Sequence, residues 1–260
     1  MLGLGNALTG GAVTESALTP SDISGLEVWY KVNKGIAGAS NTSDDGNMVD
    51  GEDIYSWADQ SGNSNHAITM TSAAQRPHWE TDAADFGGAL FDGSNDGMQL
   101  TSDVTMSANQ DFTVMVRVKI TSFASTAKAV WGNSAHDVLK MPTGGKKINV
   151  LLGGSGASSF EEASDTLATD KYYIITLTRS NGSDGDLEVR VHGDTYSDKS
   201  WDAAESHQDA DELDIGYIGV NTPGALEMPG VIKDFIVWKG TALSDSQRSD
   251  MYTYILAQDY

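Results

Sequence analysis

Two segments of this chain carry oxygen-bearing side chains at spacings that chemistry can use. Asn41 to Glu52 reads as a twelve-residue loop, with Asn41, Ser43, Asp45, Gly46 and Glu52 at positions 1, 3, 5, 6 and 12 and Met48 at the apolar position 8. Hard oxygen donors around a glycine-made turn are what a calcium ion requires. Asn41 and Ser43, however, stand where acids are expected, and no helix signal flanks the segment, so a polar surface loop accounts for the same residues. The second segment is Glu212-Leu213-Asp214-Ile215. Alternate residues of a strand share a face, and carboxylates about 5–5.5 Å apart are the pair that cleaves a glycosidic bond with retention. The positions that would complete such a set hold Gly216 and Tyr217, which supply no general acid. A strand burying Leu213 and Ile215 explains the segment, and the chain is expected to be no enzyme.

Other candidates are thinner. Of the six tryptophans, Trp201 lies in a polar Asp/Ser/Lys setting suited to stacking against a sugar, whereas Trp57 and Trp238 read as core. His66, His78, His136, His192 and His207 show no ligand spacing, which argues against zinc. No Gly-x-Ser-x-Gly elbow raises a catalytic triad above chance. Gly153-Gly154-Ser155-Gly156 lacks the lysine of a phosphate-binding loop.

Composition narrows the classes further. The 260 residues carry 37 acidic against 16 basic side chains, a formal charge of -21, and no cysteine. Disulfide staples and thiolate metal sites are therefore excluded. The basic residues are scattered except for Lys146–Lys147, so neither nucleic acid nor an anionic membrane is an expected partner. No apolar run reaches the ~18 residues of a membrane span. The first basic residue is Lys31, so the start lacks the positive region of a secretory signal.

These residues sit in a pattern of strands. Phe112, Val114, Val116, Val118 and Ile120 fall on one face of a strand, with Thr113, Arg117 and Lys119 on the other. Tyr173, Ile175 and Leu177 repeat the alternation, as do Leu187, Val189 and Val191, and the turn-rich Ser180–Gly185 between them predicts a hairpin. Val231–Trp238 is apolar on both faces, as a central covered strand would be. Ser244 and Gln247 form a capping box, and Met251, Tyr254 and Ile255 share a helical face, which predicts a helix over about 245–257. Many short strands with one terminal helix predict an all-β sandwich as a single domain over 21–260. Residues 1–20 are Gly-rich and weakly apolar; they are expected to be an extended docking segment.

Specific residues then resemble a known group. Leu26–Tyr30, Trp57–Ala67 (WADQSGNSNHA), Leu90–Gly93, Asp111–Val114, Gly230–Trp238 and Ala242–Ser244 are similar, in order and spacing, to laminin G-like jelly rolls of the concanavalin A-like lectin/glucanase group. The resemblance implies a jelly-roll sandwich with lectin-like carbohydrate binding. It also offers Asp59 and Asn63 as structural calcium ligands, because loops of such domains often hold that ion; Asp59 capping its own turn is the alternative. No other cofactor is implied. Retaining glucanases of this fold carry Glu-x-Asp-x-Glu or Glu-x-Asp-x-x-Glu, from which Glu212–Tyr217 departs.

The opening Met1-Leu2-Gly3-Leu4-Gly5-Asn6, followed by Gly10-Gly11, resembles the start of virion structural proteins of marine tailed phages, cyanophages in particular. That resemblance implies a phage structural protein located in the virion, a capsid decoration or a tail or fibre component. Met1, Leu2, Leu4, Leu8 and Val13 would dock on other virion proteins, the jelly roll would meet a host surface glycan, and a homo-oligomer is admitted. A free lectin or adhesin is the rival reading.

Overall fold

In a computed structural model of the chain, the alternation along 112–120 builds the middle of a sheet. The structure describes residues 18–39, 48–70, 72–81, 87–123, 126–133, 137–153, 159–161, 167–180, 186–193, 196–202 and 211–259, with the backbone alone at 159–161, 186, 196–202 and 259. Among these, one sheet of eight strands runs β15 (Tyr196–Asp202), β14 (Asp186–Gly193), β13 (Tyr172–Ser180), β8 (Phe112–Ile120), β17 (Pro229–Lys239), β6 (Gly88–Asp92) and β5 (His78–Glu80). The eighth, β1 (Leu26–Tyr30), pairs with the C-terminal half of β17, while β6 pairs with its first residues. Opposite lies a sheet of nine strands in the order β12 (Ser159–Glu161), β11 (Asn149–Leu151), β10 (Val138–Met141), β9 (Lys128–Gly132), β16 (Leu213–Ile218), β7 (Met98–Met106), β4 (Ala67–Thr69), β3 (Ser56–Trp57) and β2 (Ile36–Ala37).

Inward residues of both sheets form the main core. Phe112, Val114, Val116, Val118 and Ile120 meet Met98, Leu100, Val104, Leu213 and Ile215, with Trp57 and Trp131 among them. The expected hairpin is present, β13 pairing with β14 from Tyr173↔Gly193 to Ser180↔Asp186; residues 181–185 of its turn lie outside the described residues. Strand β17 is the central one, covered on both faces.

The second face of the eight-stranded sheet is covered as well. Helix α1 (Asp245–Leu256) starts at the capping box of Ser244 and Gln247. It lays Met251, Tyr252 and Ile255 on Met115, Ile174, Ile236 and Trp238, a smaller core that also takes in Ile23 and Leu18. The short 3-10 turn at Pro20–Asp22 fastens the entering chain there: Trp238 donates from Nε1 to the Pro20 carbonyl at 3.3 Å. Arg248 ties the helix down, donating to Asp245 and reaching Glu188 on β14 at 3.2 Å, while Arg190 bridges Glu188 at 2.6 Å and Asp245 at 2.9 Å.

Candidate functional site

The outward face of the nine-stranded sheet has no such cover from the described helix, and strand register decides which residues stand on it. Directly paired residues of antiparallel strands point to the same face. One row therefore crosses from Leu151 through Val138, Gly132, Tyr217, Gln99, Ile68 and Ser56 to Ala37. In this row Tyr217 is half-buried, Gln99 is exposed and Ile68 is 42% exposed. An aromatic ring, an amide and an aliphatic side chain thus lie in line across adjacent strands.

Beside that row stands a polar group. A bulge between Ile215 and Tyr217 admits Gly216. A Cβ there would sit 2.6 Å from Asn133 Oδ1 and 2.7 Å from Asp103 Oδ1, so the absent side chain is what lets this pair lie over β16. Asn133 donates from Nδ2 to Asp103 Oδ2 at 3.3 Å. Asp214 shares the outward face through its pairing with Thr105. Its Oδ1 is shielded from solvent and meets no hydrogen-bond donor among the described residues. A carboxylate oxygen removed from water without a donor costs about 1–3 kcal/mol or more.

The residues singled out for calcium sit elsewhere and have other work. Asp59 is buried and its carboxylate accepts four donors: the Trp29 and Ser61 amides on Oδ1, each at 2.9 Å, and the Ser61 hydroxyl at 2.7 Å and Asn65 amide at 3.1 Å on Oδ2. These fill the four lone-pair sites of a carboxylate. The Asp59 amide in turn donates to His66 Nδ1 at 3.1 Å. Asn63 donates from Nδ2 to the Leu26 and Glu27 carbonyls, each at 3.0 Å. Asn65 holds the far side, its Oδ1 accepting from the Ser102 amide at 2.9 Å and its Nδ2 donating to the Ser102 carbonyl at 2.8 Å. The WADQSGNSNHA segment is thus a clasp joining β1, its own turn and β7.

Glu52 folds back on its turn and accepts from the Val49 amide at 3.2 Å. Its expected companions Asn41 and Asp45, with Ser43 and Gly46, lie outside the described residues, as do Met1, Leu2, Leu4, Leu8 and Val13. Trp201 falls on β15 opposite Val189, with its side chain outside the description. No group of three or more His, Asp or Glu able to hold a metal occurs among the described residues. Sequence reasoning treated Gly216 and Tyr217 as positions where an acid was missing. Their role follows from a bulge and a cross-sheet register, neither of which a linear pattern displays.

Comparison with known proteins places the fold. The sequence model described as "Concanavalin A-like lectin/glucanases superfamily", a laminin G-type model, matches residues 92–247. The chain belongs to this superfamily. No curated protein matches it. Among solved structures it is similar to an arabinofuranosidase complexed with arabinofuranosyl-α-1,2-xylobiose, at 14% identity and TM-score 0.62, over 92% of this chain and 60% of that one. It is similar to Trypanosoma rangeli sialidase at 16% identity and TM-score 0.52, over 92% of this chain and 34% of the other. A third likeness is to domain 4 of AbnA, an extracellular arabinanase of Geobacillus stearothermophilus, in complex with arabinotriose, at 15% identity and TM-score 0.51, over 87% of this chain and 97% of that domain. The chain thus spans a third to three fifths of the first two.

These findings correct one expectation. The absent second glutamate after Glu212 does not mark the chain as non-enzymatic. The structures it resembles come mostly from glycosidases, at 14–16% identity, a likeness of fold alone. The superfamily fold itself is a carbohydrate-binding one, and the expected all-β jelly-roll sandwich with a C-terminal helix is what the chain adopts.

Proposed function

We propose that this jelly roll binds a glycan on the outward face of its nine-stranded sheet. The observation that carries the reading is the outward row of Tyr217, Gln99 and Ile68 in line across adjacent strands, with the Asp103–Asn133 pair beside it. A sugar offers both complements: hydroxyls to exchange hydrogen bonds with the Gln99 amide and the Asp103 carboxylate, and a C–H surface to stack on the Tyr217 ring. The arabinotriose-bound domain, matched over nearly its whole length, supports the chemical class. Binding to immobilised arabino- and xylo-oligosaccharides, read by affinity electrophoresis, tests it. Tyr217→Ala and Gln99→Ala should each weaken retention about tenfold or more, one lost contact of 1.4 kcal/mol or above, with the fold intact by circular dichroism. Unchanged retention in both variants refutes the site.

The second reading concerns where the domain works. We infer from the opening Met1–Asn6 and Gly10-Gly11 that the chain is a virion component of a tailed phage, with residues 1–20 docking on neighbouring virion proteins. Gold-labelled antibody against the domain should decorate heads or tails of particles. Deleting residues 2–18 should abolish incorporation, and bare particles with free antigen in the medium would move the reading to a soluble lectin.

A further inference from the structure

The strands that carry the outward row hold charge of one sign. β3, β4, β7 and β16 read SW, AIT, MQLTSDVTM and LDIGYI, so their charged residues are Asp103 and Asp214. None of the chain's 16 lysines and arginines falls in these strands. The row itself is uncharged through Tyr217, Gln99, Ile68 and Ser56. Asp103 is exposed beside it, and Asp214 shares the outward face through its pairing with Thr105. The cations of the neighbouring strands stand apart: Lys128 on β9 donates to the Gly93 carbonyl at 2.9 Å, and Lys140 lies on β10, which β9 separates from β16.

Local geometry holds the Asp103 carboxylate over β16. Its Oδ1 lies 2.7 Å from the point that a Cβ of Gly216 would occupy, and its Oδ2 accepts from Asn133 Nδ2 at 3.3 Å. Gly216 immediately precedes Tyr217, and consecutive Cα atoms stand about 3.8 Å apart. A sugar ring stacked on Tyr217 therefore comes within the Debye length of about 8–10 Å that applies at ordinary ionic strength. A carboxylate or sulfate on that sugar would meet like charge, with no cation in these strands to offset it.

We propose that Asp103 is a charge filter on this face, admitting uncharged saccharides and rejecting those that bear a carboxylate or sulfate group. Asp214 adds to the same field. The inference rests on the glycan reading of the face and supplies its selectivity. Discrimination between similar ligands comes from a repulsive element as well as from attractive contacts. A neutral sugar is not penalised, because an ionised carboxylate still accepts hydrogen bonds from hydroxyls. The formal charge of -21 is spread over the whole chain, and its distant members are screened. The carboxylate beside the bound ring is the one that decides.

The test titrates the full chain calorimetrically with xylotetraose carrying a glucuronosyl branch, and with the same compound after its carboxyl group is reduced to a primary alcohol. The pair differs in charge and keeps one shape. At about 10 mM salt the reduced, neutral form is expected to bind at least about tenfold more tightly. Raising the salt to about 1 M, where the Debye length is about 3 Å, should narrow that ratio. Asp103→Asn keeps a side-chain oxygen acceptor and removes the charge, and should bring the ratio close to one. Asp250→Asn alters an exposed residue of α1, on the other sheet, and changes the net charge by the same amount; the ratio should stay at the parent value. Equal or tighter binding of the acidic form by the parent, or a ratio that Asp103→Asn leaves unmoved or that both variants move alike, overturns the filter and leaves the glycan face standing. Binding of neither compound removes the glycan reading, and the filter with it.

Discussion

Asp96 shows how one residue can set the pH response of the fold. It is 2% exposed and accepts the Asp92 amide on Oδ2 at 2.9 Å. Burial raises its pKa from 3.8 to about 6, with the Asp92 hydrogen bond opposing the shift. The unfolded chain releases this proton near 3.8 and the folded chain near 6, so between those values the folded state binds more protons and stability falls as pH rises. Above about pH 6 the loss is complete; below about pH 4 it is absent. Asp96→Asn keeps an acceptor for the Asp92 amide and removes the buried charge. Urea unfolding should find that variant more stable than the parent at pH 8 and no more stable at pH 4, and a variant less stable at both would refute the account.

At the scale of elements, the helix and the entering strap decide what the eight-stranded sheet can carry. Alternation along β8 was legible as one apolar and one mixed face, and Thr113, Arg117 and Lys119 would ordinarily face water. They are 0–8% exposed. No property of residues 112–120 announces this; it depends on chain far away in sequence. The helix itself was readable from Ser244 and Gln247, and its register from Met251 and Ile255, both fully buried. Ile255→Ala should cost about 2–5 kcal/mol, the range for an isoleucine lost from a packed site. Calorimetry should show the whole sandwich melting earlier, since α1 shares residues of β8, β13 and β17 in its core. A low-temperature transition confined to the helix would instead mark it as an independent unit.

At the scale of the whole molecule, a formal charge of -21 on 260 residues must oppose compaction. Added sodium chloride screens that repulsion, so the melting temperature should rise as salt goes from about 10 mM to about 1 M, where the Debye length shrinks from about 30 Å to about 3 Å. A melting temperature that falls throughout would show that the Glu188–Arg190–Asp245–Arg248 network outweighs the net repulsion.

The amino-acid sequence by itself determined the sandwich, the β13–β14 hairpin, the central β17, the terminal helix and the ordered motifs that resemble the superfamily. Each is a local matter, because strand alternation, turn residues and capping boxes are written within a few positions of one another. The candidate site was decided by the tertiary structure. The row through Tyr217, Gln99 and Ile68 joins strands separated by more than a hundred residues, and its polar neighbour exists because a bulge at Gly216 leaves room for Asp103 and Asn133. Register and covering are properties of the assembled sheets, and a linear pattern holds no coordinate in which to express them.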